Sequence, residues 1–106
     1  MLEIKSARLG SKNQTFQFSV LNPNYNYDYL ICIGFSLTNA YYRIIPKTSF
    51  KYIHQKEQRD HWINIDGKLK KLVEMNPDNK VNYKLTLSIS KMKDISNFSN
   101  ELVSIL

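Results

Sequence analysis

Two charged residues near the start of the chain, Glu3 and Lys5, are the first that could do chemistry. They stand two apart in Leu-Glu-Ile-Lys-Ser-Ala, where apolar and polar residues alternate, so on a strand both project from one face. A carboxylate beside an ammonium suits metal-assisted phosphodiester hydrolysis: the Glu holds a hard divalent cation by oxygen and the Lys orients the attacking water. The same spacing also suits a compensating pair on the wet face of a strand. Other chemistries find less support. His54 and His61 stand apart from any cysteine cluster, and Gly10, Gly34 and Gly67 form no phosphate-cradling or nucleophile-elbow pattern. The lone Cys32 sits in an apolar run, where a thiol behaves as a small hydrophobe.

A second constellation is spread over the middle of the chain. Lys47, Lys51, Lys56, Arg59, Lys68, Lys70 and Lys71 are interleaved with Tyr52 and Trp62. Such a tract can grip phosphates and stack on bases, or it can be a solvated face. A net charge of +6 on 106 residues favours a polyanionic partner, with nucleic acid ahead of anionic lipid. The seven tyrosines suit either an interface or a half-buried pleated surface.

The elements that must position these residues read as strands for the most part. Alternation predicts strands over 2–7 and 15–20, forming a hairpin-like pair or a crossing strand. Residues 21–27 read as a loop. The run Asp-Tyr-Leu-Ile-Cys-Ile-Gly-Phe at 28–35 predicts a central strand buried on both faces, antiparallel to a strand over 40–45 that Pro46 stops. Residues 47–60 read as loop or irregular helix, and 62–65 as a short strand ended by Asp66-Gly67. Leu69, Leu72 and Val73 fall at helical spacing and predict a helix over 68–75. A strand through Leu85, Leu87 and Ile89 follows, then a final helix bearing Phe98, Leu102 and Ile105, capped by Ser96 or Asn97. The fold class is α+β: a mixed β-sheet with a few short helices. The length fits a single domain over 1–106.

The texts "LEIKSARLG", "FQFSVLNPNYNYDYLICIGF" and "YYRIIP", residues 2 to 46, resemble the second half of the catalytic core of the PD-(D/E)xK nuclease superfamily, particularly type II restriction endonucleases. The likeness continues loosely into "HWINIDGKLKKL". It implies a partial restriction-endonuclease-like core from a restriction-modification or related defence system. It also implies Mg2+ held by Glu3 and the Ile4 carbonyl, Lys5 as the catalytic lysine, and Ser6 and Arg8 facing backbone phosphates, with Gln17 a weaker neighbour. Arg8, Lys12 and the basic tract would then contact DNA. The family's other acid, the Asp of its Pro-Asp element, belongs upstream of Glu-x-Lys, where only Met1 and Leu2 stand. Asp28, Asp60, Asp66, Asp78 and Asp94 are the Asp residues that might replace it. Otherwise a partner chain supplies the acid, the chain is a piece of a divided nuclease, or cleavage has been lost with DNA binding retained.

The resemblance also implies that truncating such a core exposes an unpaired strand edge at residues 2 to 7, which predicts a homodimer or a complementing nuclease fragment. No run of 18 apolar residues and no leader pattern is present, so a cytoplasmic location and no membrane association are expected. The rival reading is a non-enzymatic inhibitor of phage or mobile-element origin that blocks a protein or nucleic-acid partner.

Overall fold

The computed structural model describes residues 1–55, 58–75 and 82–106, without the side chains of Val20, His54, Gln55, Gln58 and Arg59. It is α+β and strand-rich, built from three small sheets around one apolar centre. The first sheet has the order β1 (Leu2–Arg8), β3 (Tyr29–Phe35), β4 (Ala40–Pro46) and β10 (Lys93–Asp94). The second joins β2 (Thr15–Leu21), β9 (Tyr83–Ser88) and β8 (Val73–Glu74), and the third joins β5 (Phe50–Gln55), β6 (Gln58–Ile65) and β7 (Lys68–Lys71).

β1 pairs parallel with β3 over seven residues, Glu3 beside Leu30 and Lys5 beside Cys32. The crossover this requires runs through β2, which leaves the first sheet for the second, so β1 and β2 form a crossing pair and not a hairpin. β3 then turns through Ser36 and Asn39, whose side chains bond backbone groups of the turn, into the antiparallel β4. Leu30, Ile31 and Cys32 are all fully buried, which agrees with a central strand covered on both faces.

Phe16, Phe18, Leu85 and Leu87 from the second sheet pack with Leu30, Cys32 and Ile45 from the first and Ile63 and Ile65 from the third. The first and second sheets approach closely at Gly34, where a Cβ would stand 2.7 Å from two Phe16 ring carbons. A side chain there would have to displace the ring, so glycine is demanded by the approach.

Two sequence expectations are corrected in the third sheet and the segment that leaves it. The described residues of 47–60 are not loop or irregular helix: a single 3-10 turn at Lys47–Ser49 leads into β5 and β6, an antiparallel pair. Residues 68–75 are not a helix. Asp66 and Gly67 both have positive φ (53° and 85°), and Ile65 pairs with Lys68, so they form a two-residue hairpin loop that returns the chain as β7. Leu69 consequently lies half exposed, while Leu72 is buried where the chain passes from the third sheet to the second, its N–H donating to the His61 carbonyl at 2.9 Å.

The closing helix α1 (Phe98–Ile105) is present, but neither Ser96 nor Asn97 caps it through a side chain. The preceding 3-10 turn Ile95–Asn97 is instead opened by Asp94, whose carboxylate accepts from the Ser96 N–H at 2.9 Å. Phe98 packs edge-on against Tyr42, and the Tyr42 hydroxyl donates to the Glu101 carboxylate, fastening α1 to β4. Among the described residues no helix is long and apolar enough to cross a membrane.

Candidate functional site

Strand alternation places Glu3, Lys5 and Ala7 on the core side of β1 and leaves Ile4, Ser6 and Arg8 outside. The half-buried pair is closed on itself, with Lys5 Nζ 3.2 Å from Glu3 Oε1. Ile4, by contrast, is 62% exposed. Glu3 lies close enough to Tyr27 to act on it. Burial first, then the Glu3 charge and Cys32, push the Tyr27 phenol up to about 12. β1 thus inverts the usual partition of a strand: the charges face in and the isoleucine faces out.

That inversion scatters the rest of the nuclease set. Ser6 and Arg8 project from the opposite face to Glu3 and Lys5, so they do not flank the pair. Arg8, Lys12 and Gln17 line an open cleft beside the 10–13 turn. The candidate second acids are engaged elsewhere. Asp28 binds the Met1 ammonium at 2.6 Å, Asp60 pairs with Lys71 at 3.3 Å, and Asp94 holds Asn39 and the Ser96 N–H. Asp66 receives both terminal nitrogens of Arg43, which holds its carboxyl below the usual range, and Lys91 stands at 3.6 Å. Asp78 lies outside the described residues. Among the described residues no three His, Cys, Asp or Glu side chains converge as a metal group. A lone carboxylate held by its own lysine does not fit the oxygen-rich shell that Mg2+ requires.

The basic tract divides by strand register. Lys47 turns inward: its ammonium lies 4.0 Å from the Tyr27 ring centre and donates to the Pro23 and Tyr25 carbonyls, and burial lowers its pKa. Lys70 likewise bends over the core side of its sheet to the Thr86 carbonyl, and burial lowers its pKa too. Lys68 shares that face, opposite Ile65. Backbone carbonyls engage the Lys47 and Lys70 ammonium groups, while Lys68 is exposed on the core-facing side of β7. Lys56 and the Arg59 side chain lie outside the described residues.

What remains is a row. Lys51 on β5 stands directly across from Trp62 on β6, which stands directly across from Lys71 on β7. All three belong to the face turned away from buried Ile63 and Ile65. The lysines are exposed and the indole is half-buried between them, with Asn64 and Leu69 as the next pair along the sheet. Asp60 lies at one end, within ion-pair reach of Lys71. Neighbouring strands are about 4.8 Å apart, so the two lysine stems stand about 10 Å apart with the indole midway. Tyr52 lies on the opposite face, its ring 4.8 Å from His61, and takes no part in the row.

A helix over 68–75 would not align Lys71 with Trp62, so the helical spacing of Leu69, Leu72 and Val73 hides the row. The signal that could have found it is Asp66-Gly67, the two-residue turn signature that fixes Trp62 against Lys71. Comparisons with protein-family models, curated proteins and solved structures find no match for the chain.

Proposed function

We propose that the chain is a nucleic-acid-binding module that holds a single strand, DNA first among candidates, on the outer face of the β5-β6-β7 sheet. One observation carries the reading: the cross-strand row Lys51, Trp62, Lys71. The indole offers a π-face for a base, and the flanking ammonium groups offer charge for the phosphates on either side of it. The net charge of +6 acts in the same sense, raising the local concentration of a polyanion. Hydrolysis is not part of this reading for the chain by itself. A metal-dependent nuclease built on Glu3 and Lys5 would need a second carboxylate from another chain.

Trp62 is the chain's one tryptophan, so its fluorescence reports directly on the row. Titration with an oligothymidylate at low salt is expected to quench it. Trp62→Ala should weaken binding, measured by anisotropy of a labelled strand, by about 5- to 150-fold, the equivalent of a stacked base. Lys51→Ala and Lys71→Ala should each reduce the slope of log K against log salt by about 0.7. Absence of quenching, or binding indifferent to all three substitutions, overturns the proposal. Plasmid nicking with Mg2+ that disappears in Lys5→Ala would replace it with the nuclease reading. Tight binding to a protein partner without nucleic-acid affinity would replace it with the inhibitor reading.

A further inference from the structure

We infer that β1 is the contact strand of a symmetric homodimer, in which two copies join antiparallel edge to edge with Ile4 facing Ile4 of the second copy. β1 ends the order of its sheet, and among the described residues no strand pairs with its outer edge. An open edge of seven residues is a template for another strand. The occupant follows from the side chains. A charge turned inward on an edge strand ordinarily blocks pairing, because the incoming strand must cover it. Here the charges are a Glu and a Lys two apart, and such a pair is complementary to its own antiparallel copy.

The register is set by the same residues. A two-fold axis perpendicular to the sheet keeps like faces together, so the two numbers of every facing pair share one even sum. A sum of six puts Glu3 against Glu3, and a sum of ten puts Lys5 against Lys5. Like charges directly opposite are unfavourable. A sum of eight puts Glu3 against Lys5 twice, so that each charge has two opposite neighbours, its own strand-mate at 3.2 Å and its counterpart across the axis. On the other face the sum of eight places Ile4 against Ile4. Within one copy Ile4 stands beside Ile31, and Ile31 beside Ile44. Ile31 is 1% exposed, whereas Ile4, at the end of the same row, is 62% exposed. Dimerisation extends the row to six isoleucines and covers the two that are bare. This inference is independent of the nucleic-acid reading, which concerns a different sheet.

The test uses the full chain in sedimentation equilibrium, with charge variants and a cysteine pair. Wild type should be dimeric. Glu3→Lys and Lys5→Glu should each weaken the dimer by about tenfold or more, since each sets two like pairs face to face. Mixed together, the two variants should form a heterodimer, which also shows that both fold. Facing Cα atoms in an antiparallel pair are about 4.5 to 5.5 Å apart, within disulfide reach, so Ile4→Cys should link copies on mild oxidation. Ser6→Cys, displaced along the strand from its own copy, should not. A monomeric wild type overturns the inference. So does a dimer insensitive to both charge reversals, or linkage through Ser6→Cys in preference to Ile4→Cys.

Discussion

Gly34→Ala tests the contact that holds the first and second sheets in their present relation. The added Cβ would stand 2.7, 2.7 and 2.8 Å from three carbons of the Phe16 ring, against about 3.5 to 4.0 Å for an unstrained carbon contact. The ring must therefore retreat by close to 1 Å. Phe16 is fully buried and touches the Phe18 and Tyr41 rings, at centroid distances of 6.3 and 6.0 Å, so that movement has to be passed on through the core. Overpacking of this kind costs about 1–3 kcal/mol. In a domain of this size each kcal/mol lowers Tm by about 4–8 °C, so a loss of roughly 10 °C is expected. The assay is urea and thermal unfolding followed by far-UV circular dichroism for wild type, Gly34→Ala, Phe16→Leu and the double variant. Phe16→Leu is destabilising in its own right because it leaves a void. With the ring gone, however, Gly34→Ala should cost less than about 0.5 kcal/mol, giving a coupling of at least about 0.5 kcal/mol. Equal costs of Gly34→Ala in both backgrounds would refute the claim that the sheets meet ring against backbone here.

Tyr42→Phe removes the hydroxyl that fastens α1 to β4 through Glu101. Because Glu101 keeps Lys93 at 3.2 Å and faces water, a loss of about 1 kcal/mol is expected in urea melts, with hydrogen exchange in 98–105 accelerated first. Burial beside Tyr52 and Tyr83 lowers the His61 pKa, Lys47 adding to the effect and Asp60 opposing it, so the fold favours the neutral ring. The unfolded chain therefore takes up this proton first. The His61 contribution is complete above about pH 7 and is lost as pH falls from about 6.5 through the lower folded-state value, and His61→Phe should flatten the stability profile in that window, leaving the lower carboxylate window of Asp66, Asp94 and Glu101 in place. An unchanged slope counts against the placement of His61. Burial pushes the Cys32 thiol up to about 12, so a thiol reagent near neutral pH should label the native chain only as fast as it opens. Labelling as fast as in urea would contradict a fully buried Cys32.

The strands around the first sheet were legible because each signal was local and strong. Alternation marked β1 and β2, the continuous apolar run marked β3, and Pro46 fixed the end of β4. The third sheet was not legible from periodicity. Leu69, Leu72 and Val73 do fall at helical spacing, but the chain crosses between two sheets at Leu72, so buried Leu72 and exposed Leu69 and Val73 answer to different neighbours. Turn chemistry at Asp66-Gly67 outweighs the stripe, since positive φ at two successive residues is met by a tight hairpin and not by a helix start. At the candidate site, Trp62 and the lysines were identified by type. Their division into an outer row and an inward group came only with register, because a one-residue shift in pairing exchanges the two faces.

The pair Glu3 and Lys5 has a different physical meaning once its face is known. A metal site needs the carboxylate lone pairs to be available and joined by other oxygens, whereas here the nearest charge is the Lys5 ammonium and the neighbouring aromatic is Tyr27. An edge strand has the opposite requirement. Its inward charges must be neutralised within the strand while remaining able to meet a second strand. A half-buried acid and base two residues apart, beside the bare end of an isoleucine row, meet that requirement. Glu-x-Lys on a strand is thus shared text between phosphodiester chemistry and edge pairing. What separates the two is whether a second carboxylate or a second copy of the strand stands opposite.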